Sequence, residues 1–183
     1  MAEALYDIPV NKIDGSPARL GDYAGKVLLV VNVASKCGLT PQYEGLEKLY
    51  SARRGEGLEV LGFPANDFRG QEPGTNEEIA SFCSTTFGVD FPMFEKIAVT
   101  GPEKHPLYQA LTSQRPQTDG GDSAMRTRLE GFGIKTGGPG EVLWNFEKFV
   151  VGRDGKVIAR FAPDTPPDDP RLQAALDQAL AAN

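Results

Sequence analysis

The sequence predicts an α/β layered domain, and three observations carry that reading. Residues 26–33 and 58–63 are continuous apolar runs rich in Val and Leu, the pattern of strands buried on both faces of a parallel or mixed sheet. A helical segment separates them, and for strand, helix, strand the right-handed parallel crossover is overwhelmingly preferred. Near the end of the chain, residues 146–151 and 156–161 flank Asp154 and Gly155, a strong β-hairpin signal.

Each element follows from its own local chemistry. The run 26–33 is expected at the centre of the sheet because it has no polar face. In 41–53, Tyr43, Leu46, Leu49 and Tyr50 recur at helical spacing, with Thr40 as N-cap and Pro41 in the first turn. The Pro, Asn, Asp and Gly content of 64–74 predicts a loop. Thr75 and Glu78 match a capping box that starts a helix with Ile79, Phe82, Cys83 and Phe87 on its apolar side. His105 and Pro106 open a short helix. Pro170 opens the last one, which bears Leu172, Leu176 and Leu180. Short extra strands are expected before residue 25. The stretch 113–141, rich in Gly and of mixed charge, is read as an inserted surface loop within one domain spanning 1–183.

Composition limits the chemistry. The chain has 183 residues, 40% of them hydrophobic and 24% charged, which suits an ordinary globular core. Nineteen basic against 25 acidic residues give a net charge of −6, so neither nucleic acid nor an anionic membrane is an expected partner. No apolar run approaches the roughly 20 residues that span a bilayer. The first ten residues lack a basic region followed by an apolar stretch, and a cytoplasmic location is expected. With one histidine, His105, and two cysteines, Cys37 and Cys83, neither a metal site nor another cofactor is expected. The serine-hydrolase elbow is absent. Cysteine chemistry remains.

Cys37 follows the central strand and precedes a helix, where backbone N–H groups and the helix dipole favour a thiolate. Gly38 beside it lets a substrate approach the backbone. The bland reading of Cys37 is a small core residue. Thr40 stands where a second cysteine would complete CxxC, which disfavours thioredoxin-type dithiol exchange.

Four segments in order, NVASKCGLTPQY, GFPANDFRGQEPG, FCSTTFGVDFPMFEK and WNFEKF, closely resemble the glutathione peroxidase family, from about Tyr6 to Leu180. The resemblance implies a thioredoxin-like fold, a central mixed β-sheet flanked by α-helices, with an N-terminal β-hairpin extension. It also implies a thiol peroxidase that reduces hydrogen peroxide and organic hydroperoxides, with Cys37 as peroxidatic residue supported by Gln71, Trp144 and Asn145. Their side-chain N–H groups are donors suited to a thiolate and to the departing oxygen. Taken singly, Gln71 reads as a polar loop residue, Trp144 as core filler and Asn145 as a turn residue.

In the thioredoxin-dependent branch of the family a resolving cysteine occupies the FC motif, and Cys83 matches it. Since a disulfide needs Cα atoms within about 7 Å, local unwinding of helix 75–87 is expected during turnover. Where many relatives read FPCNQF, Ala65 and Asp67 stand here, so no third thiol competes, and Asp67 adds an acid near the presumed site. The expected reductant is thioredoxin, with glutathione as the alternative. A peroxide-sensing redox relay and a non-enzymatic thioredoxin-fold binding protein are the rival readings. The chain is expected as a monomer or homo-oligomer.

Overall fold

The computed structural model describes residues 2–138 and 140–182. Its main sheet has four strands in the order β4-β3-β5-β6, built from β3 (Val27–Val33), β4 (Leu58–Pro64), β5 (Lys148–Val151) and β6 (Val157–Phe161). β3 pairs parallel with β4 and antiparallel with β5, and β5 pairs antiparallel with β6. Every residue of β3 and β4 is buried, as unbroken apolar runs require. An antiparallel hairpin of β1 (Pro9–Asn11) and β2 (Pro17–Arg19) supplies the expected N-terminal extension. The helix α1 (Ala2–Asp7) before it was not foreseen. Six residues are too few for periodicity to show, and its placement rests on contacts distant in sequence: Leu5 is buried and the Tyr6 hydroxyl donates to the Arg153 carbonyl at 3.2 Å.

The crossover from β3 to β4 is α2 (Gln42–Arg53), whose buried face is the predicted Tyr43, Leu46, Leu49 and Tyr50. Thr40 does not cap it: Pro41 holds the N-cap position, in helical conformation and without a side-chain cap. The Thr40 hydroxyl instead turns back, accepting from Cys37 N–H at 2.9 Å and donating to the Ala34 carbonyl at 2.8 Å. α3 (Asn76–Phe87) begins with the predicted capping box. Thr75 Oγ1 accepts from Glu78 N–H, and Glu78 Oε1 accepts from Thr75 N–H. It ends at Gly88, whose positive φ of 59° closes the helix at low cost. In α4 (Pro106–Gln114) the His105 ring Nδ1 accepts from Leu107 N–H, capping a helix that opens on proline. Asp169 similarly caps α6 (Pro170–Ala181).

Two further expectations are corrected. The stretch 113–141, read as an irregular surface loop, contains helix α5 (Ser123–Gly131), with Met125 and Leu129 buried; Pro139 in this stretch lies outside the described residues. Two inward side chains in nine residues, among glycines, were too weak a pattern to announce it. The strand read as 146–151 starts at Lys148, because Phe146 adopts φ 70°, a left-handed conformation unusual for a side chain of this size.

Asn32, within the apolar run of β3, holds that irregularity in place. Its Nδ2 donates to the Trp144 carbonyl at 3.1 Å, its Oδ1 accepts from Glu147 N–H at 3.2 Å, and its own carbonyl accepts from Phe146 N–H at 2.6 Å. One buried amide thereby fixes the approach of residues 144–147 to β5.

Beyond that turn the sheet carries buried charge. Glu147 Oε2 accepts from Arg160 Nε at 2.7 Å, and Glu147 Oε1 accepts from Leu143 N–H at 2.9 Å. The guanidinium also donates to the carbonyls of Arg115, Gly140 and Glu141 and lies over the Phe149 ring at 4.8 Å. Arg160 therefore ties both ends of the 113–141 stretch to β6. The neighbouring Lys148 is fully buried, donating to Gln42 Oε1 at 2.5 Å and to the Pro163 carbonyl at 2.9 Å. Burial pulls its ammonium down to about 7, against the opposing charges of Asp164 and Glu147.

Two predictions concern these charges. Arg160→Met strands Glu147 without its cation and is expected to lower unfolding stability by about 3–5 kcal/mol in urea titrations. Because Lys148 has its ammonium pKa lowered on folding, the unfolded chain binds more protons above about pH 7. Stability should therefore rise from about pH 7 towards pH 9 by up to about 1.4 kcal/mol per unit, and Lys148→Met should remove that rise.

Candidate active site

β3 and β4 run parallel, so the loops that follow them emerge at the same edge of the sheet, and the turn before β5 reaches that edge through Asn32. Three short segments meet there: 34–40 after β3, 65–72 after β4, and 144–147 before β5.

The first segment holds Cys37 in a chain of tight turns. Thr40 N–H donates to the Cys37 carbonyl, and Gln42, Tyr43 and Glu44 N–H donate in turn to Leu39, Thr40 and Pro41. These turns lead directly into α2 and turn one backbone N–H toward the sulfur. Leu39 N–H donates to Cys37 Sγ at 3.3 Å. Cys37 is 8% exposed, between the exposed Lys36 and Gly38.

The second segment is shaped by its polar residues. Asn66 Oδ1 accepts from Glu72 N–H at 2.9 Å, which closes the loop, and Arg69 and Gly70 both take left-handed conformations at its tip. Asp67 points away from the cysteine: its Oδ2 accepts from Val99 N–H at 2.7 Å, anchoring the loop to the far side, while burial pushes its carboxyl up. Lys36 N–H donates to the Gln71 carbonyl at 3.0 Å, binding this loop to the cysteine turn at the residue before Cys37.

The third segment brings Trp144 and Asn145. The Asn145 Nδ2 donates to Gln71 Oε1 at 3.0 Å, which leaves the Gln71 amide N–H groups for another acceptor. Asn145 is fully buried, and among the described residues its Oδ1 has no hydrogen-bond partner. Trp144 is buried with its ring 5.3 Å from that of Phe68 in the second segment. Gln71, Trp144 and Asn145 are therefore drawn together at one edge, with Gln71 joined through the backbone to the residue next to Cys37. Of the residues that hold this arrangement, Asn32 and Phe68 carry no expectation from the sequence, and Thr40 serves the cysteine turn in place of the helix cap it suggests. An isolated Asn inside an apolar strand is the signal by which Asn32 could have been found.

Cys83 lies elsewhere. It is 2% exposed on the inner face of α3, and both cysteines carry free thiols. Burial pushes the Cys83 thiol up to about 11, with Glu72 adding to the rise and the neighbouring Tyr43 hydroxyl opposing it. Tyr43 packs edge-on to Phe146 and tilted against Phe87, so Cys83 faces an aromatic layer under the cysteine turn. Its exposed neighbours Ser84, Thr85 and Thr86 form the outer side of the last helical turns.

The family model for glutathione peroxidase matches residues 5–112. A thioredoxin/glutathione peroxidase from Escherichia coli, BtuE, is 50% identical over 182 residues, covering 99% of this chain and 100% of its own. A hydroperoxy fatty acid reductase from Synechocystis is 46% identical, with 90% of each chain covered. Among solved structures, a Trypanosoma cruzi GPX1 superposes with a TM-score of 0.71 at 32% identity over 97% of each chain. A thioredoxin-family thiol:disulfide interchange protein from Chlorobium tepidum, 19% identical with a TM-score of 0.55, shares the fold over 95% of this chain and 93% of its own. With that fold and these relatives along almost its whole length, the chain belongs to the glutathione peroxidase family.

Proposed function

We propose that this thiol peroxidase reduces hydroperoxides through Cys37, resolves the oxidised cysteine with Cys83, and is returned to its dithiol form by thioredoxin. The observation that carries the reading is the Leu39 N–H aimed at Cys37 Sγ, in a turn bonded to the loop that presents Gln71. An N–H donor to sulfur favours the anionic form, and the thiolate is the nucleophile.

The chemistry then asks little more of the site. Cys37 S⁻ attacks one peroxide oxygen, the O–O bond breaks, and the other oxygen leaves as water or alcohol once protonated. Cys37 is left as a sulfenic acid. The unengaged Gln71 amide N–H groups and the Trp144 indole N–H are donors for the negative charge that develops on the departing oxygen. Asn145 positions Gln71 through its 3.0 Å hydrogen bond.

Resolution requires Cys83 to leave its buried place on α3 and meet Cys37. Its helix is capped at both ends yet carries an exposed polar outer side at 84–86, and nothing in 76–87 is proline, so one or two turns can unwind without a prior isomerisation. Thioredoxin is favoured over glutathione because an internal disulfide is the form a dithiol reductant clears efficiently. The E. coli relative carries both reductants in its name.

NADPH consumption with hydrogen peroxide tests this in two arms, one with thioredoxin and its reductase, the other with glutathione and its reductase. Cys37→Ser is expected to abolish turnover in both. Cys83→Ser is expected to remove the thioredoxin-supported rate selectively; an intact thioredoxin rate in that variant refutes the resolving role. A second expectation is structural. In the oxidised protein, backbone amides of the last turns of α3 should exchange with deuterium at least about tenfold faster than in the reduced protein, and unchanged protection there would exclude helix opening.

A further inference from the structure

We propose that Glu72 carries the proton between the two cysteines when the Cys37 sulfenic acid becomes a disulfide with Cys83; this rests on the assignment of those two thiols made above. Glu72 follows Gln71 in the loop bonded to Lys36, and it is only 1% exposed. Its main chain has structural work: the N–H donates to Asn66 Oδ1, and the carbonyl accepts from Lys96 Nζ at 2.9 Å. Its carboxyl is not tied into that framework: among the described residues Glu72 Oε2 is buried with no partner at hydrogen-bond distance, and the Ser35 hydroxyl and N–H are the donors that face the group. A buried carboxyl oxygen left unpaired costs free energy that the fold does not recover.

The position of the carboxyl gives that cost a purpose. A cleft of about 350 Å³ opens between the cysteine turn and α3, lined by Ser35, Lys36, Glu72, Ile79 and Phe82. Ile79 and Phe82, on the helix face that carries Cys83, line this cleft opposite Glu72, and the carboxylate adds to the rise that burial gives the Cys83 thiol and the Tyr43 hydroxyl. It therefore sits on the seam that Cys83 must cross, and because it belongs to the loop and not to α3, it remains beside Gln71 when the helix opens. The ionisable groups around it are Lys36 from the cysteine turn, Tyr43 on α2, Glu78 and Cys83 on α3, and Lys96 beyond it. Burial pushes the carboxyl above its ordinary range, against hydrogen bonding from Ser35 and the charges of Lys96 and Lys36. A carboxylate of raised basicity is the better match for a thiol that burial has made hard to ionise.

The step balances without an outside reagent. The Cys83 S–H proton passes to the Glu72 carboxylate, and the sulfur electron pair forms the S–S bond to Cys37. The Cys37 S–O bond breaks, its pair leaving with oxygen, and Glu72 returns the proton so that water departs. Sulfur of Cys37 is reduced as that of Cys83 is oxidised, and Glu72 ends as the carboxylate it began as.

The test separates the two half-reactions in the full chain after rapid mixing with one equivalent of hydrogen peroxide. Sulfenic acid is read by dimedone trapping and the disulfide by mass, over the acidic to neutral pH range. In the wild type, disulfide formation should fall as pH drops through the titration of a carboxyl, since the protonated acid cannot accept. In Glu72→Gln that limb should vanish and disulfide formation at neutral pH should slow on the order of 100-fold, with trapped sulfenic acid accumulating. Glu72→Asp, which keeps the acid one methylene further back, should restore the limb with an intermediate rate. A Glu72→Gln disulfide rate within about twofold of wild type, an equal slowing of sulfenic acid formation, or a wild-type limb that is absent would each overturn the inference. If the wild type forms no Cys37–Cys83 disulfide, the resolving assignment itself falls, and the inference with it.

Discussion

The site depends on a single buried amide. Asn32 is the polar residue of a strand otherwise made of Val and Leu, and it is fully buried. Its side chain and carbonyl together satisfy three backbone groups of 144–147, a segment whose residue Phe146 stands in a conformation costing about 1–2 kcal/mol for a non-glycine side chain. A strand of pure hydrophobic residues would pack as well, but it would leave Trp144 and Asn145 without a fixed approach to the edge where Cys37 emerges. The parallel pairing of β3 with β4 does the rest, since it delivers the cysteine turn and the Gln71 loop to that edge together.

The neighbouring region stores polar groups at a cost. Glu147 and Arg160 form a buried pair that also gathers the carbonyls of the 113–141 stretch, and Lys148 is enclosed beside the start of α2. Such groups add little net stability compared with well-packed apolar residues, but they penalise any arrangement in which they lose their partners. The consequence is specificity: α2, β5, β6 and the 113–141 stretch are held in one mutual arrangement, and the cysteine turn inherits its position from α2. The packing of α3 on Tyr43, by contrast, is aromatic and apolar.

Much of this was legible in the residues, and the exceptions share a cause. The strands 27–33 and 58–64, the Thr75 capping box and the helices opening at Pro106 and Pro170 are local patterns, and they lie where periodicity and capping chemistry placed them. Thr40 misled because a threonine before a proline has two acceptable uses, and only the fold decides that its hydroxyl serves Cys37 and Ala34. Phe146 misled because its left-handed turn is imposed by Asn32, more than a hundred residues away. α5 was hidden by the glycines around it. Of the candidate site, the fold gathers Gln71, Trp144 and Asn145 at one edge, whereas the supporting Asn32 and Phe68 have no signature beyond being out of place or unremarkable in their local context. Glu72 was read only as a letter in a motif, and its unpartnered carboxyl is a property that no sequence displays.

Lys96 has a bearing on how α3 can move. Its Nζ grips the carbonyls of Glu72 and Gly74, and its amide donates to the Asn76 side chain. The leading end of the helix is thus riveted to the loop below it. The trailing end hangs on Gly88 and a pair of carbonyls at residues 83 and 84, one of them belonging to Cys83 itself. The two ends are thus held differently, the first by a lysine side chain and the second by main-chain bonds near Cys83 and by Glu47 Oε1 just beyond. An opening that carried the sulfur outward would have to break the second set and could leave the frame around Gln71 in place.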